Sequence, residues 1–501
     1  MAMMDVRGTE GYRPRIGFLE RKMGFAAPGA VCFQNETGIG GPGAISGGRP
    51  PIASARFNKK GLTELFNETS LSGKRVIVRA DFNVLDPISG KIKSDARIKA
   101  GIQTIKELKA KGAEIIILTH NDDPIKVAKK EKVDVSEVMN KLSNRAVAER
   151  LTELLREEGI MKDYESVAFV DRITGDVVEN AATVMNPGDI LMLENTRMDE
   201  RDVKGSEEFA REIFFTLRPA AYIIDGFSVM HRDQATVTGL AHIMKEAGLP
   251  VVAGRLVEKE IEIFGENILE NPQHPYVAFC GGAKVADKIE IVKSLAARVD
   301  KLVIGGAMLW AFLKAKGYTT VGDDPLKGRT EDDQRKDIEQ AREVLNAEHG
   351  HKIILPKSFW AYNDDNDTVE VNVDQVEPVE AGFRMGDVSD IEMMEIIRSL
   401  GSVKTVIWNG NFGFTDHPNK ELAGMFKEGS FAIIDMMTDV HNGGGVAAAG
   451  GGDTEKVLKN YMKEIDQKEL PITHVSTGGG AMTELLAKGT LPGFEVIDNK
   501  I

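Results

Sequence analysis

The chain has 501 residues, 42% of them hydrophobic and 28% charged, with a formal net charge of −14. That length exceeds one ordinary core and favours two domains, and the balance is that of a folded globular protein rather than a disordered or fibrous one. The acidic excess argues against nucleic acid or an anionic membrane as the main partner. Cys32 and Cys280 alone offer no disulfide framework and favour a reducing, cytoplasmic setting, and no apolar run reaches the roughly 18 to 20 residues of a bilayer span.

Residues 1–56 are Gly/Pro-rich without a lasting hydrophobic period and read as an extension rather than a domain. Gly38, Gly40 and Gly43 fit G-x-G-x-x-G, but no strand precedes them, Pro42 interrupts and no helix follows, so a dinucleotide fingerprint is rejected. The segment lacks the charged start and apolar centre of a secretory signal. A partner-binding arm, through residues 1–55, stays beside an organelle address as a reading of it. The terminal DNKI matches neither an S-K-L nor a K-D-E-L address.

From about residue 75, β-branched runs alternate with segments of helical period, the rhythm of a parallel α/β fold. RVIVRADFNV is a strand with a polar exit, and DARIKAGIQTIKELKAKGA is a helix with Ile98, Ile102, Ile105 and Leu108 on one face. EIIILTH, VAFV, DILMLE, AAYIID, YVAFC, KLVIG, KIILP, TVIWNG and GVAAAG are further strand candidates. Between AAYIID and YVAFC, the stretch GRLVEKEIEIFGENILENPQHP predicts an interdomain helix with Val257, Ile261 and Phe264 on one face.

Ligands of open α/β sheets sit beyond the carboxyl ends of the strands. In the first half those exits carry Arg79, Asp81, Asn83, His120, Arg197, His231 and Arg232, with Arg97 at a helix start. Guanidinium forks match phosphate and carboxylate oxygens, so converging arginines suit a small, multiply anionic metabolite, whereas a single arginine is more often a surface ion pair. In the second half the exits are CGGAKVADK, IGGAM, IWNGNFG, AGGGDT and STGGG. Glycine lets phosphate approach main-chain N–H groups, and a helix starting there adds its positive end. Lys284 and Lys288, four apart, are expected on one helical face toward phosphates, and Asp453 toward a metal ion accompanying them. None of these loops is a Walker G-x-x-x-x-G-K-[ST]. An anion cradle facing a nucleotide-phosphate cradle suggests phosphoryl transfer across a closing cleft.

RVIVRADFNV, LENTR, CGGAKVADKIEIVKSL, VIWNG, GGGDT and STGGGAMTELLAKGTLPG together resemble the phosphoglycerate kinase family, over about Leu62 to Pro492. The resemblance implies two Rossmann-like domains with parallel sheets, spanning 57–253 and 271–487, an interdomain helix at 254–270, and residues 488–501 packing back on the first domain. It implies the reaction of 1,3-bisphosphoglycerate and ADP to 3-phosphoglycerate and ATP, with Mg²⁺ on the nucleotide. Arg79, Asp81, Asn83, His120, Arg197 and Arg232 would hold the phosphoglycerate. Arg97 and Lys284, with the N–H groups of Gly478 and Gly479, would stabilise the phosphoryl group in flight. Lys288, Gly305, Gly306, Asn409, Asp416, Gly451, Gly452 and Thr454 would bind the nucleotide, and Asp453 the metal.

The sequence departs from the family pattern at both ligand sites. S-H-L-G-R-P stands here as Thr119 to Pro124, with Asp123 in place of an arginine, and F-G-T-A-H-R as Phe227 to Arg232, with Ser228, Val229 and Met230. W-N-G-P-x-G-V-F-E becomes Trp408 to Asp416, with Asn411, Phe414 and a shortened acid. Two functions follow as expectations: a working kinase, because the transfer residues survive, or a catalytically impaired scaffold anchored in an assembly through its N-terminal arm, because Asp123 reverses a charge.

Overall fold

The protein is described from a computed structural model covering residues 56–375 and 379–500; the readings on residues 1–55, Cys32 included, lie outside the described residues. Near-continuous apolar strands require cover on both faces, and the chain provides it with helices around two parallel sheets. The first sheet contains β1 (Arg75–Ala80), β2 (Glu114–Leu118), β3 (Ala168–Val170), β4 (Ile190–Leu193), β5 (Ala221–Asp225) and β6 (Val251–Ala253), ordered β3-β4-β2-β1-β5-β6. Every neighbouring pair is parallel. The helix Ala96–Ala110 buries Ile98, Ile102, Ile105 and Leu108 against it, the face its periodicity predicts.

The second lobe repeats the plan. Its sheet contains β7 (Tyr276–Cys280), β8 (Lys301–Ile304), β9 (Ile353–Ile354), β13 (Thr405–Asn409), β14 (Val446–Gly450) and β15 (His474–Ser476), ordered β15-β14-β13-β7-β8-β9 and also parallel throughout. A small antiparallel sheet of β10 (Ser358–Tyr362), β11 (Thr368–Asn372) and β12 (Arg384–Val388) is inserted between β9 and β13. This insertion escapes a reading built on the parallel rhythm. β6 and β15 escape it too.

The segment between the lobes is a helix over Arg255–Glu260 that continues as a π-helix over Ile261–Glu270. Val257, Ile261 and Phe264 are buried along it. The last described residues return to the first lobe: Asp498 N–H donates to Val251 O (2.9 Å), Lys60 N–H to Asp498 O (2.7 Å) and Lys500 N–H to Asn58 O (2.9 Å). Phe494 locks this return, its ring 5.7 Å from Phe57 and 6.0 Å from Phe227, and it is 1% exposed. Phe494→Ala is expected to cost about 3–5 kcal/mol of first-lobe stability through lost burial and a cavity, read as a lowered urea midpoint.

Candidate functional site

Each sheet reverses its direction of growth once, and these are the places where strand exits diverge and leave a crevice. In the first sheet the reversal lies between β1 and β5, in the second between β7 and β13. The exits of β1 and β5 carry Arg79 to Asn83 and Asp225 to Arg232; those of β7 and β13 carry Gly281 to Lys288 and Gly410 to Asp416.

In the first lobe a side-chain lattice stitches the exits together. Thr119 Oγ1 accepts from Phe82 N–H (2.8 Å), and Asn83 Oδ1 from Asp122 N–H (2.9 Å). Asn121 Oδ1 accepts from the N–H groups of Val84 and Leu85, while Asn195 Nδ2 donates to Asn121 O (2.6 Å). Arg79 is fully buried on this lattice. Its Nε donates to Thr236 Oγ1 (3.2 Å), and Thr236 is held in turn by the buried Asp202. Arg79 Nη2 stands 3.5 Å from His120 Nδ1, which leaves that nitrogen as acceptor and the ring proton on Nε2.

His120 is where the arginines meet. Burial lowers its pKa well below the usual imidazole value, and the positive charges of Arg197, Arg79, Arg97 and Arg232 lower it further. Arg197 is itself pushed down to about 10 by burial and by Arg79 and Arg232. All four predicted arginines are therefore near enough for their charges to act on this one buried imidazole, and Arg79 touches it. Asp123 is close enough for its charge to favour the Arg197 cation, but its carboxylate is also engaged as N-cap of the helix Pro124–Glu131, accepting from Lys126 N–H at 3.1 Å.

Asp81 connects this cluster to the cleft. Its carboxylate pairs with Arg97 (3.0 Å) and accepts from the Ser228 hydroxyl. Arg97 Nη2 then donates to Thr477 O (3.3 Å), so one guanidinium spans from the first lobe to the loop before the triple glycine. The two lobes touch closely here: a Cβ on Gly478 would lie 2.6 Å from Phe227 Cδ1 and 3.0 Å from Ser228 Cα. Ser476 Oγ accepts from Gly478 N–H (3.2 Å) and donates to Glu260 Oε1 (3.1 Å) on the interlobe helix. The helix Gly479–Lys488 starts immediately afterwards, with its positive end in the cleft.

In the second lobe glycines let loops meet backbone to backbone. A Cβ on Gly306 would stand 2.5 Å from Asn411 O and 2.6 Å from Gly282 N, and one on Gly479 would stand 2.7 Å from Gly451 Cα. Beside these loops lies a cavity of about 270 Å³ lined by Gly282, Gly306, Tyr362, Phe414, Asp416 and Asp453 among others. Asn409 accepts from Lys288 Nζ and donates to Gly450 O (2.9 Å), joining the exits of β7, β13 and β14. Thr454 Oγ1 is buried and accepts from Gly410 N–H (2.8 Å). Asp416 pairs with Lys456 at 2.5 Å. Gly305 lies behind the cavity against Phe412, and Gly451 and Gly452 open the helix Gly452–Glu464, on whose first turn Asp453 is exposed.

One expectation is corrected. Lys284 and Lys288 do not share a helical face, because the helix starts only at Ile289 and both lysines lie in the turn before it, Lys284 exposed and Lys288 at the N-cap. Glycine-rich exits delay helix entry, which four-residue spacing cannot reveal. Thr236, Asp202, Asn195 and Glu260 were not singled out by sequence reasoning, and Ser476 only as a residue near the helix entry. Their roles come from partners 34 to 216 residues away, and an isolated polar residue carries no such signal.

Among the described residues no group of three or more His, Cys, Asp or Glu side chains could hold a metal ion, and no helix is long and apolar enough to cross a membrane. A single exposed carboxylate on a glycine loop suits a hard divalent cation that takes its other oxygens from phosphate and water. Asp453 fits that donor set for Mg²⁺.

Fold and site define a two-lobed α/β protein of the phosphotransferase type, with an arginine cradle and a glycine cradle meeting at a cleft. A sequence model of the family "Phosphoglycerate kinase" matches residues 66–489. A phosphoglycerate kinase of Clostridium botulinum is 33% identical over 447 residues, covering 89% of this chain and 100% of that one. Another, of Corynebacterium diphtheriae, is 33% identical over 445 residues, covering 88% and 99%. The solved phosphoglycerate kinase of Coxiella burnetii superposes with a TM-score of 0.66 at 26% identity, covering 86% of this chain and 97% of that one. The chain belongs to the phosphoglycerate kinase family.

His120 also sets an acid response. Its folded pKa is depressed, so below about pH 6.5 the unfolded chain takes a proton that the folded one refuses, and stability falls with pH. His120→Asn is expected to flatten that part of the fall, measured as urea midpoints between about pH 7 and pH 5.

Proposed function

We propose that the chain is a phosphoglycerate kinase, transferring a phosphoryl group reversibly between 1,3-bisphosphoglycerate and ADP to give 3-phosphoglycerate and ATP. The observation that carries the reading is Arg97, paired with Asp81 in one lobe and bonded to Thr477 O in the other. A guanidinium in that position neutralises charge on a group passing between the lobes.

Arg79, Asn83, His120, Arg197 and Arg232 hold the acid in this reading, and Asp81 orients Arg97. A carboxylate acceptor is ionised near neutral pH and attacks phosphorus without a general base. The remaining tasks, positioning and neutralisation, fall to Arg97, Lys284 and the N–H groups of Gly478 and Gly479. Gly478 N–H, which donates to Ser476 Oγ, exchanges that acceptor for the phosphoryl oxygen. Lys288, Gly306, Asn409, Gly451, Gly452 and Thr454 surround the nucleotide's place in this reading, Gly305 backs it, and Asp416 stands at its sugar. When bound at Asp453, Mg²⁺ supplies neutralisation of the nucleotide phosphates. The same reading assigns residues 57–253 with 488–501 to the acid-binding domain, 254–270 to the hinge and 271–487 to the nucleotide domain. It also assigns the enzyme to the reducing cytoplasm.

A second reading, a catalytically impaired relative held in an assembly by residues 1–55, is favoured by Asp123 beside Arg197. A coupled assay of ATP formation separates the two. Wild-type turnover with a high KM for the phosphoglycerate is expected. Asp123→Arg should lower that KM by roughly tenfold to hundredfold, the worth of a charge-assisted hydrogen bond, while losing about 1 kcal/mol of helix capping. An inert wild type rescued by Asp123→Arg would instead select the impaired reading.

A further inference from the structure

We propose that Ser228 is a self-phosphorylation site, taking the γ-phosphoryl group of a nucleoside triphosphate held in the second lobe when no acid acceptor occupies the first. The proposal rests on the reading of the cleft as a phosphoryl-transfer site and adds a second acceptor to it.

Ser228 stands on the short 3-10 turn Phe227–Val229 at the exit of β5, half-buried, on the face of the first lobe that meets the second. Its hydroxyl does not cap its own turn. It donates to Asp81 Oδ2, the carboxylate that also pairs with Arg97. Its backbone abuts the glycine loop, Cα and N lying 3.0 and 3.1 Å from the position of a Cβ on Gly478. One alcohol is thus placed beside a carboxylate, a guanidinium and the start of the helix Gly479–Lys488. Kinases that phosphorylate alcohols use these parts: an acid to take the hydroxyl proton, a cation for the migrating charge, and aligned N–H groups.

The step balances without a further reagent. The Ser228 O–H bond breaks and its proton passes to Asp81. Oγ bonds to the γ-phosphorus as the bond from that phosphorus to the bridging oxygen breaks, releasing a nucleoside diphosphate. The phosphoserine then carries close to two negative charges between Arg97 and the N-terminus of the helix Gly479–Lys488. It occupies the path of transfer and ties the lobes together, so labelling suppresses ATP formation.

The test uses the full chain with Mg²⁺ and γ-labelled ATP, with and without 3-phosphoglycerate, beside the coupled ATP-formation assay. The expected result is label that survives acid and hydroxylamine and maps to the Ser228 peptide. It should disappear in Ser228→Ala, persist in Ser228→Thr and fall when 3-phosphoglycerate is in excess. Prior labelling should reduce ATP formation by the labelled fraction. ATP formation without label, label retained in Ser228→Ala, or acid-labile label on His231 would overturn the proposal and leave the kinase reading standing. Absence of both label and ATP formation would overturn both. Label without ATP formation would support Ser228 as acceptor and select the impaired reading for the acid.

Discussion

The first lobe is organised around an electrostatic imbalance: four arginines whose charges all act on one buried imidazole, answered nearby by Asp81 and Asp123. Cations this close repel one another, and for the buried Arg79 and Arg197 desolvation adds a cost that water no longer relieves. Such a cluster is tolerated because the backbone lattice beneath it is rigid. Arg79 shows the rigidity most clearly, held through Thr236 to Asp202 and stripped of solvent.

The second lobe solves a different problem with different material. In the function proposed above, a phosphate chain comes within hydrogen-bonding distance of several N–H groups at once, which side chains at the loop positions would prevent. The contacts of Gly306 with Gly282 and of Gly479 with Gly451 leave no room for a Cβ. Only glycine allows the exits of β7, β8 and β14 and the helix Gly479–Lys488 to converge there. In that proposal the arginine cluster recognises charge, whereas the glycine loops recognise the shape of a phosphate approach. Arg97 and Ser228 lie where the two meet.

The departures at Asp123 and Ser228 bear on the same arginine cluster from two directions. Asp123 lowers the positive potential near Arg197 while stabilising its own helix, and Ser228 occupies an oxygen of Asp81. Both leave the glycine loop untouched. The second lobe has departures of its own at Asn411, Phe414 and Asp416, beside the cavity that Gly282 and Gly306 line, so the chain differs from its family's pattern on both sides of the cleft.

The parallel rhythm, the buried face of Ala96–Ala110, the interlobe helix and the convergence of strand-exit arginines were all legible in the sequence. Each depends on local periodicity or on the rule that parallel strands present one common end. The inserted sheet β10–β12 was hidden because antiparallel pairing of short strands leaves no distinctive period, and the placing of Lys284 and Lys288 because a glycine turn delays helix entry. Tertiary structure alone decided that Arg97 would bridge Asp81 and Thr477, that Asp123 would cap a helix beside Arg197, and that Ser228 would meet the glycine loop. Those contacts join residues from separate elements, in two cases from opposite lobes, and their geometry exists only once both sheets have closed.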